Sequence, residues 1–168
     1  MRILPLILGL CSFSPVSAQQ SSHSGVLGDL RITLTTVRDA SNQDVADLKL
    51  RQKPGYHYVL VFFKVKNVSN YPSCEPYFHY WLGVSQGYQY KGVGLSGKNA
   101  VETKHLPPTE GSEGGVRFEV KDGTQPAVLK ILREKSLDDV CAQTQHRERP
   151  IIGPEAVRFS LSGFSSAR

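Results

Sequence analysis

The amino-acid sequence predicts an all-β protein, an antiparallel sandwich of about seven strands. Short segments in which apolar and polar side chains alternate recur along the chain, and turn-forming residues separate them roughly every 8–12 residues. No segment keeps the 3.6-residue period of a long helix. The 168 residues include 15 glycines and 10 prolines, which fits a fold with many turns.

The strongest predicted strand is Tyr56–Val65, which is apolar on both faces in its first half and alternates in its second half. This pattern is typical of a central strand. Leu30–Val37 alternates throughout and predicts a strand with one face in water. Asp39–Asp47, which lies between them, is polar and predicts a loop.

An aromatic-rich hairpin is predicted in the middle of the chain. Tyr77–Val84 and Tyr88–Leu95 are short apolar runs joined by Ser85-Gln86-Gly87, and a three-residue link that contains glycine favours antiparallel pairing. The following segment, Ser96–Gly115, is long and polar, which predicts a loop or a ragged edge strand.

A second hairpin is predicted around Asp122-Gly123, because this residue pair favours tight turns and Val116–Val120 and Ala127–Leu132 flank it. Ala156–Phe164 alternates and predicts the last strand. A capping pattern with an acidic first turn predicts one short helix near residues 137–143.

The first eighteen residues have the organisation of a secretory signal peptide. Arg2 provides the positive charge, residues 3–13 the apolar segment, and Val16-Ser17-Ala18 the small-residue cleavage site. Cys11 does not complete a lipoprotein signal, since Leu10 stands where a small residue is needed. We expect cleavage after Ala18, a secreted or periplasmic protein, and no transmembrane segment.

The mature chain is then expected to hold one domain. Residues 19–28 are predicted to be a flexible tail, residues 29–164 the β-sandwich, and residues 165–168 a short C-terminal tail. Cys74 and Cys141 remain after cleavage, and in an oxidising compartment an isolated pair predicts one disulfide. The alternative, a redox or metal-binding pair, has no C-x-x-C spacing to support it. With Trp81 on a strand, the prediction becomes an immunoglobulin-like sandwich.

Three segments together resemble the telokin-like group of exported bacterial immunoglobulin-like domains, which includes mycobacterial immunoprotective secreted antigens. They are the strand Val59–Asn67, which ends in Val-x-Asn, the bend Leu106-Pro-Pro-Thr-Glu110, and the strand Gly115–Val120. Thr109 stands where that family usually has glycine. The resemblance implies a β-sandwich of unknown function without an established catalytic site, and it implies no functional residues.

Composition and motifs argue against several function classes. The formal net charge is only +5, and lysine and arginine are scattered among acidic residues, so no basic stripe predicts nucleic-acid binding. No nucleophile elbow or phosphate-binding glycine motif is present, and no enzyme activity or cofactor is predicted. The histidines lack metal-binding spacing, although His57 and His79 are expected on neighbouring strands, where a site could assemble in space. Asn67-Val68-Ser69 matches the eukaryotic glycosylation triplet.

The unusual concentration in this chain is aromatic. Alternation places Tyr77, His79 and Trp81 on one strand face, with Phe78, Tyr80 and Leu82 on the other face, which leaves either an exposed aromatic platform or cross-strand packing. The candidate binding residues are Tyr77, Tyr80, Trp81, Tyr88 and Tyr90. We expect contact with a protein or cell-envelope component, or alternatively glycan binding through this hairpin. A metal-binding protein or metalloenzyme is the remaining alternative.

Overall fold

The computed structural model describes residues 23–73, 78–101, 106–133 and 156–162. In these ranges the chain forms nine strands, a six-residue helix and a short 3₁₀ turn at Gly97–Asn99. In chain order the elements are β1 (Ser24–Leu27), β2 (Leu30–Asp39), α1 (Asn42–Asp47), β3 (Tyr56–Asn67), β4 (Phe78–Val84), β5 (Gln89–Lys91), β6 (Val93–Gly94), β7 (Gly111–Lys121), β8 (Pro126–Arg133) and β9 (Ala156–Ser160).

The strands form two antiparallel sheets, which confirms the predicted all-β sandwich. One sheet has the order β1-β2-β3-β7-β6 and the other the order β5-β4-β8-β9. The core between them is apolar, because every second residue of each strand points inward. Its largest fully buried side chains come from both sheets and include Phe63, Phe118, Leu82, Leu129, Ile131 and Phe159.

Strand β3 is central, as its apolar sequence predicts. It pairs with β2 on one side and along its whole length with β7 on the other. Val59, Val61 and Phe63 point into the core, and Leu60 on the opposite face is also fully buried. A strand that is buried on both faces needs apolar residues at consecutive positions.

The predicted loop Asp39–Asp47 is wrong in part, because it contains the helix α1. Ser41 caps the helix, and Asp44 completes a capping box with it. The helix ends in a Schellman arrangement, with Lys49 at φ 51° and Leu50 N–H bonded to Val45 O at 2.9 Å. No residue of this helix is buried. The sequence therefore lacks the apolar residues at three- and four-residue spacing that would have predicted a helix here.

The aromatic hairpin is confirmed for β4 and β5, but Tyr88–Leu95 does not form one strand. The segment crosses between the sheets at Gly92: β5 pairs with β4, whereas β6 pairs with β7. A Cβ atom at Gly92 would lie 2.6 Å from the ring of Phe118. The glycine therefore lets the backbone pass over a core ring, and the chain closes this edge of the sandwich.

The second predicted hairpin is wrong. Asp122-Gly123 does form a turn, with Gly123 at φ 79°, but it connects the two sheets instead of two paired strands. Strand β8 pairs with β4 and β9. Turn residues determine where the chain reverses, and they do not determine which sheet the next strand joins.

Strand β7 also starts earlier than predicted, since Gly111–Gly115 of the expected loop pairs with β3. The inner face of this part of the strand lies against the backbone of another segment. A Cβ atom at Gly114 would be 2.5 Å from the carbonyl oxygen of Asn99. Glycine is needed here for close packing, and its lack of a side chain hides the strand from a pattern of alternation.

The predicted N-terminal tail is wrong for Ser24–Leu27, which pairs with β2 as the edge strand β1. Gly25 lies against the side chain of Val157 on β9, where a Cβ atom would overlap it. Strand β1 therefore covers the second edge of the sandwich. Its four residues are too few for a sequence pattern to separate them from a tail.

Other predictions lie outside the described residues. They are the signal peptide 1–18, residues 19–22 of the tail, Cys74, Tyr77, Cys141, the short helix near 137–143 and the C-terminal tail 165–168. In the ranges that are described, no helix has the length and apolar character that a membrane-spanning helix requires.

Candidate functional site

The two faces of β4 have the orientation that alternation predicts. Tyr80 and Leu82 point into the sandwich, and His79 and Trp81 point outward. Trp81 is half-buried on the outer face of the four-stranded sheet. Trp81 is also the only tryptophan in the sequence, so its fluorescence reports on this face alone.

Tyr80 and Tyr90 lie on the inner side of the hairpin and do not contribute to an exposed platform. The Tyr80 ring packs against Phe63, with centroids 5.8 Å apart, and burial raises its pKa to about 12. Tyr90 pairs with Leu82 and packs against the core. Both rings thus stabilise the pairing of the two sheets through aromatic contacts.

Trp81 and Tyr88 line a depression of about 300 Å³ on the outer face of the sheet. Tyr88 is 65% exposed. Gly83 occupies the next outward position along β4, so no side chain fills the surface beside Trp81. A Cβ atom at Gly83 would lie 3.7 Å from Val128 O, an ordinary contact. The depression thus lies where position 83 carries no side chain and where the pairing of β4 with β8 shifts register between Gly83 and Val84.

A row of cations crosses the sheet at the level of Trp81. Lys91 on β5 and Lys130 on β8 are the direct partners of Trp81, and Arg158 on β9 is the partner of Lys130. Directly opposed residues in antiparallel strands share a face. Lys130 and Arg158 both line the depression. Among the described residues, none of these three cations forms an ion pair.

Of the four candidate residues that the structure describes, it brings together Trp81 and Tyr88 in the depression, and Tyr77 lies outside the described residues. Sequence reasoning missed Gly83, Lys130 and Arg158, which belong to three different strands. The alternation of each strand could have predicted that these three residues face outward. Their proximity depends on the register of β4, β8 and β9, which alternation does not determine.

The histidines do not form the site that was expected from neighbouring strands. His57 is on β3 and His79 is on β4, which belong to different sheets. The His57 imidazole instead lies between two carboxylates, with Nδ1 3.0 Å from Asp122 Oδ1 and Nε2 3.6 Å from Asp39 Oδ1. Across the ranges described, no group of three or more His, Cys, Asp or Glu side chains could hold a metal ion.

Asn67, in the glycosylation triplet, has a structural role. Its side chain is fully buried, and Nδ2 donates to Tyr71 O at 2.6 Å and to Leu106 O at 2.7 Å. Its Oδ1 accepts from Ser69 N–H at 2.9 Å. An amide that is buried and hydrogen-bonded on both sides is not accessible for glycan attachment. The hydrogen bonds of the Asn67 side chain instead connect two loops at the end of β3.

No protein-family model matches the sequence, and no curated protein matches it. Solved structures with a similar chain path include a predicted lipoprotein of Bacillus subtilis, with 14% identity, a TM-score of 0.49 and coverage of 86% of this chain and 39% of that protein. This chain thus spans well under half the length of that lipoprotein.

Two further solved structures are similar over shorter parts of the chain. The secreted protein MPT63 of Mycobacterium tuberculosis has 14% identity and a TM-score of 0.42 over 64% of this chain and 76% of its own. An uncharacterized β-sandwich protein of Clostridium difficile has 10% identity and a TM-score of 0.42 over 68% of this chain and 85% of its own. The chain is similar to all three at low identity, and its own two sheets define it as an antiparallel β-sandwich.

Proposed function

We propose that the chain is an exported, non-catalytic binding domain that holds a cell-envelope glycan in the depression beside Trp81. Export rests on the signal peptide that residues 1–18 predict. The binding role rests on one observation above all, an open depression bordered by Trp81 and Tyr88 on the outer face of the four-stranded sheet. A fold of this kind hosts many functions, so the proposal depends on the site and not on the fold.

The chemistry of the lining suits a sugar. A pyranose ring has an apolar face of C–H groups that packs on an aromatic ring, and Trp81 and Tyr88 offer such rings with little entropy to lose. Its hydroxyl groups need polar partners, and Gln89 and Lys130 line the same depression. Aromatic and polar groups therefore converge as a saccharide requires.

The size of the depression supports a short segment of glycan as the ligand. Its volume of about 300 Å³ is at the lower end of the range for small-ligand pockets, so about one or two sugar rings would fit. The depression is open to solvent, which leaves room for the rest of a polymer to continue across the sheet. A domain that binds an internal segment of a polysaccharide needs this open geometry.

A glycan array probed with the mature protein tests the proposal. We expect binding to a defined set of oligosaccharides and its loss in Trp81→Ala, because that substitution removes the stacking surface. Tyr56→Ala is the matched control, since Tyr56 is a partly exposed aromatic on the other sheet. Binding that is equal in the wild type and Trp81→Ala would contradict the proposal, and so would an array without binding.

A protein partner is the second candidate, and exposed apolar area on the same face favours it. Val128 is 39% exposed and Tyr88 is 65% exposed, and both line the depression. Tagged mature protein and its Trp81→Ala variant can be used to capture partners from the native secretome. One protein captured by the wild type and lost in the variant would favour this candidate over the glycan.

A further inference from the structure

We infer that the glycan is acidic and that Lys130 and Arg158 bind its anionic group while Trp81 stacks on the sugar ring. This inference rests on the proposed function and adds the chemical class of the ligand. The anionic group is a carboxylate or a phosphate, since both match an ammonium group and the forked donors of a guanidinium.

The register places the two cations where a stacked sugar would present its charge. Trp81 is directly opposite Lys130, and Lys130 is directly opposite Arg158. Cβ atoms of such pairs are about 4.5–5.5 Å apart, so Lys130 is the direct neighbour of Trp81 and Arg158 lies one strand further, and both line the same depression as the ring. Arg158 is exposed and Lys130 is half-buried at the wall of the depression.

The outer face of the four-stranded sheet carries cations and no described carboxylate. The outward-facing positions, taken from the strand pairing, are His79, Trp81, Gly83, Gln89, Lys91, Val128, Lys130, Leu132, Ala156, Arg158 and Ser160. Three of these are permanent cations and none is an acid. A face with one sign of charge attracts the opposite sign.

The opposite sheet shows the contrast. There three cations are paired within the protein, Lys64 with Glu113, Lys53 with Glu119, and Arg38 with Asp44, although Arg31 and Lys66 are two exposed neighbours of like charge. Among the residues that the structure describes, charges of both signs are thus interspersed on the five-stranded sheet, whereas the outer face of the four-stranded sheet carries only cations. An anionic ligand would supply the counter-charges that the described residues do not provide on this face.

A nucleic-acid strand fits this face less well. Proteins that bind single strands use a groove that follows the backbone, with several cations and a series of stacking rings. Here the three cations form one short row across the sheet, beside one tryptophan and one tyrosine. A compact cluster of this kind matches one charged sugar unit.

The test compares two ligands that differ only in charge. Trigalacturonic acid and its methyl ester have the same rings, so the difference in Kd by calorimetry isolates the carboxylates. We expect the acid to bind at least about tenfold more tightly, with the advantage falling as salt rises from roughly 0.05 M to about 0.5 M. A phosphorylated oligomannose and its neutral parent form a second pair that distinguishes phosphate from carboxylate.

Two double variants show whether these cations carry the preference. Lys130→Gln with Arg158→Gln should abolish the preference for the acid. Arg31→Gln with Lys66→Gln removes the same charge from an exposed pair on the other sheet and should preserve the preference. An equal loss in both variants would mean that only net charge matters, and this would overturn the inference.

The remaining outcomes separate this inference from the proposed function. If the neutral members of both pairs bind as tightly as the charged members and Trp81→Ala abolishes binding, the proposed function stands and the inference is wrong. If heparin and an oligothymidylate bind as tightly as the acidic sugars without dependence on Trp81, the inference is also wrong. If no saccharide binds, the proposed function fails and the inference fails with it.

Discussion

Thr109 has a backbone conformation that its side chain disfavours. Its φ is 68°, in the left-handed region, and the Glu110 N–H donates to Pro107 O at 3.2 Å across the bend. This is the form of a type II turn, in which the third residue is usually glycine. The bend that the resemblance predicts at residues 106–110 is therefore present, and Thr109 adopts its left-handed geometry at a cost in free energy.

Thr109→Gly is therefore expected to stabilise the protein by about 1 kcal/mol, because it removes the cost of holding a β-branched residue in the left-handed conformation. The greater conformational entropy of glycine in the unfolded chain offsets part of this gain. Urea unfolding of the wild type and the variant measures this difference.

Thr109→Ala is the matched control for that substitution. It removes the hydroxyl and methyl groups but keeps the Cβ atom, so little gain is expected. A Thr109→Gly protein with an unfolding midpoint at or below that of the wild type would contradict the strain at this residue.

At the scale of single residues, the sequence predicted which side of the sheet each β4 side chain faces, but it did not predict which residues lie beside Trp81. Alternation along β4 correctly separated Trp81 from Tyr80, since each position in a strand points to the opposite side from the last. It did not assign Tyr90 to the inner face or identify Gly83 as part of the depression. A glycine has no hydrophobic signal, and its importance here comes from the side chain that it lacks.

At the scale of single elements, α1 depends on electrostatics and capping. Arg38 donates two hydrogen bonds to Asp44, at 2.6 and 2.8 Å, and Ser41 N–H donates a third at 2.8 Å. The bonds from Arg38 are the main reason that the pKa of the Asp44 carboxyl lies well below its ordinary value of 3.8. The charged carboxylate is thus preferentially stabilised in the folded state.

This linkage predicts a stability that falls in acid. Because the pKa of Asp44 is lower in the folded state than in the unfolded state, its contribution is complete above the ordinary value of 3.8 and is lost as the pH falls toward the folded value. We expect Asp44→Asn to destabilise the protein by about 1 kcal/mol at neutral pH. Urea unfolding at neutral pH and below pH 3.8 measures the difference in free energy between the two proteins.

The difference should shrink in acid, since the wild type loses the same charge there. Gln43→Ala is a suitable control on the exposed part of α1, because its contact is with Asp47 and not with the capping box. A difference between Asp44→Asn and the wild type that does not change with pH would contradict the role of the charge.

Elements with a strong local pattern were predicted, but their pairing was predicted correctly for one of the two short links and wrongly for the other. The hairpin of β4 and β5 was correct, and Ser85-Gln86-Gly87 lies in the turn that joins the two strands. Asp122-Gly123 has equally favourable turn chemistry, yet it leads from β7 into the other sheet. The choice depends on which apolar faces meet in the core, and that is a property of distant segments.

At the scale of the whole molecule, a strand crossing covers one edge of the sandwich and a short edge strand covers the other. The crossing at Gly92 joins β5 to β6 on one side, and β1 packs against β9 near Gly25 on the other. Covered edges discourage pairing with further strands. The outer face of the four-stranded sheet carries the open depression and, among the described residues, a row of three cations without ion pairs.

The most direct test of the central claim is a fluorescence titration of Trp81 in the wild type and in Gly83→Val. The valine would fill the depression while leaving the tryptophan and all charges in place, and the space around Gly83 accommodates a Cβ atom. Trigalacturonic acid and its methyl ester serve as ligands, and thermal unfolding shows that both proteins are folded. We expect a saturable change in Trp81 emission in the wild type and none in Gly83→Val. The same titration curve in both proteins, or no change in either, would contradict a saccharide site beside Trp81.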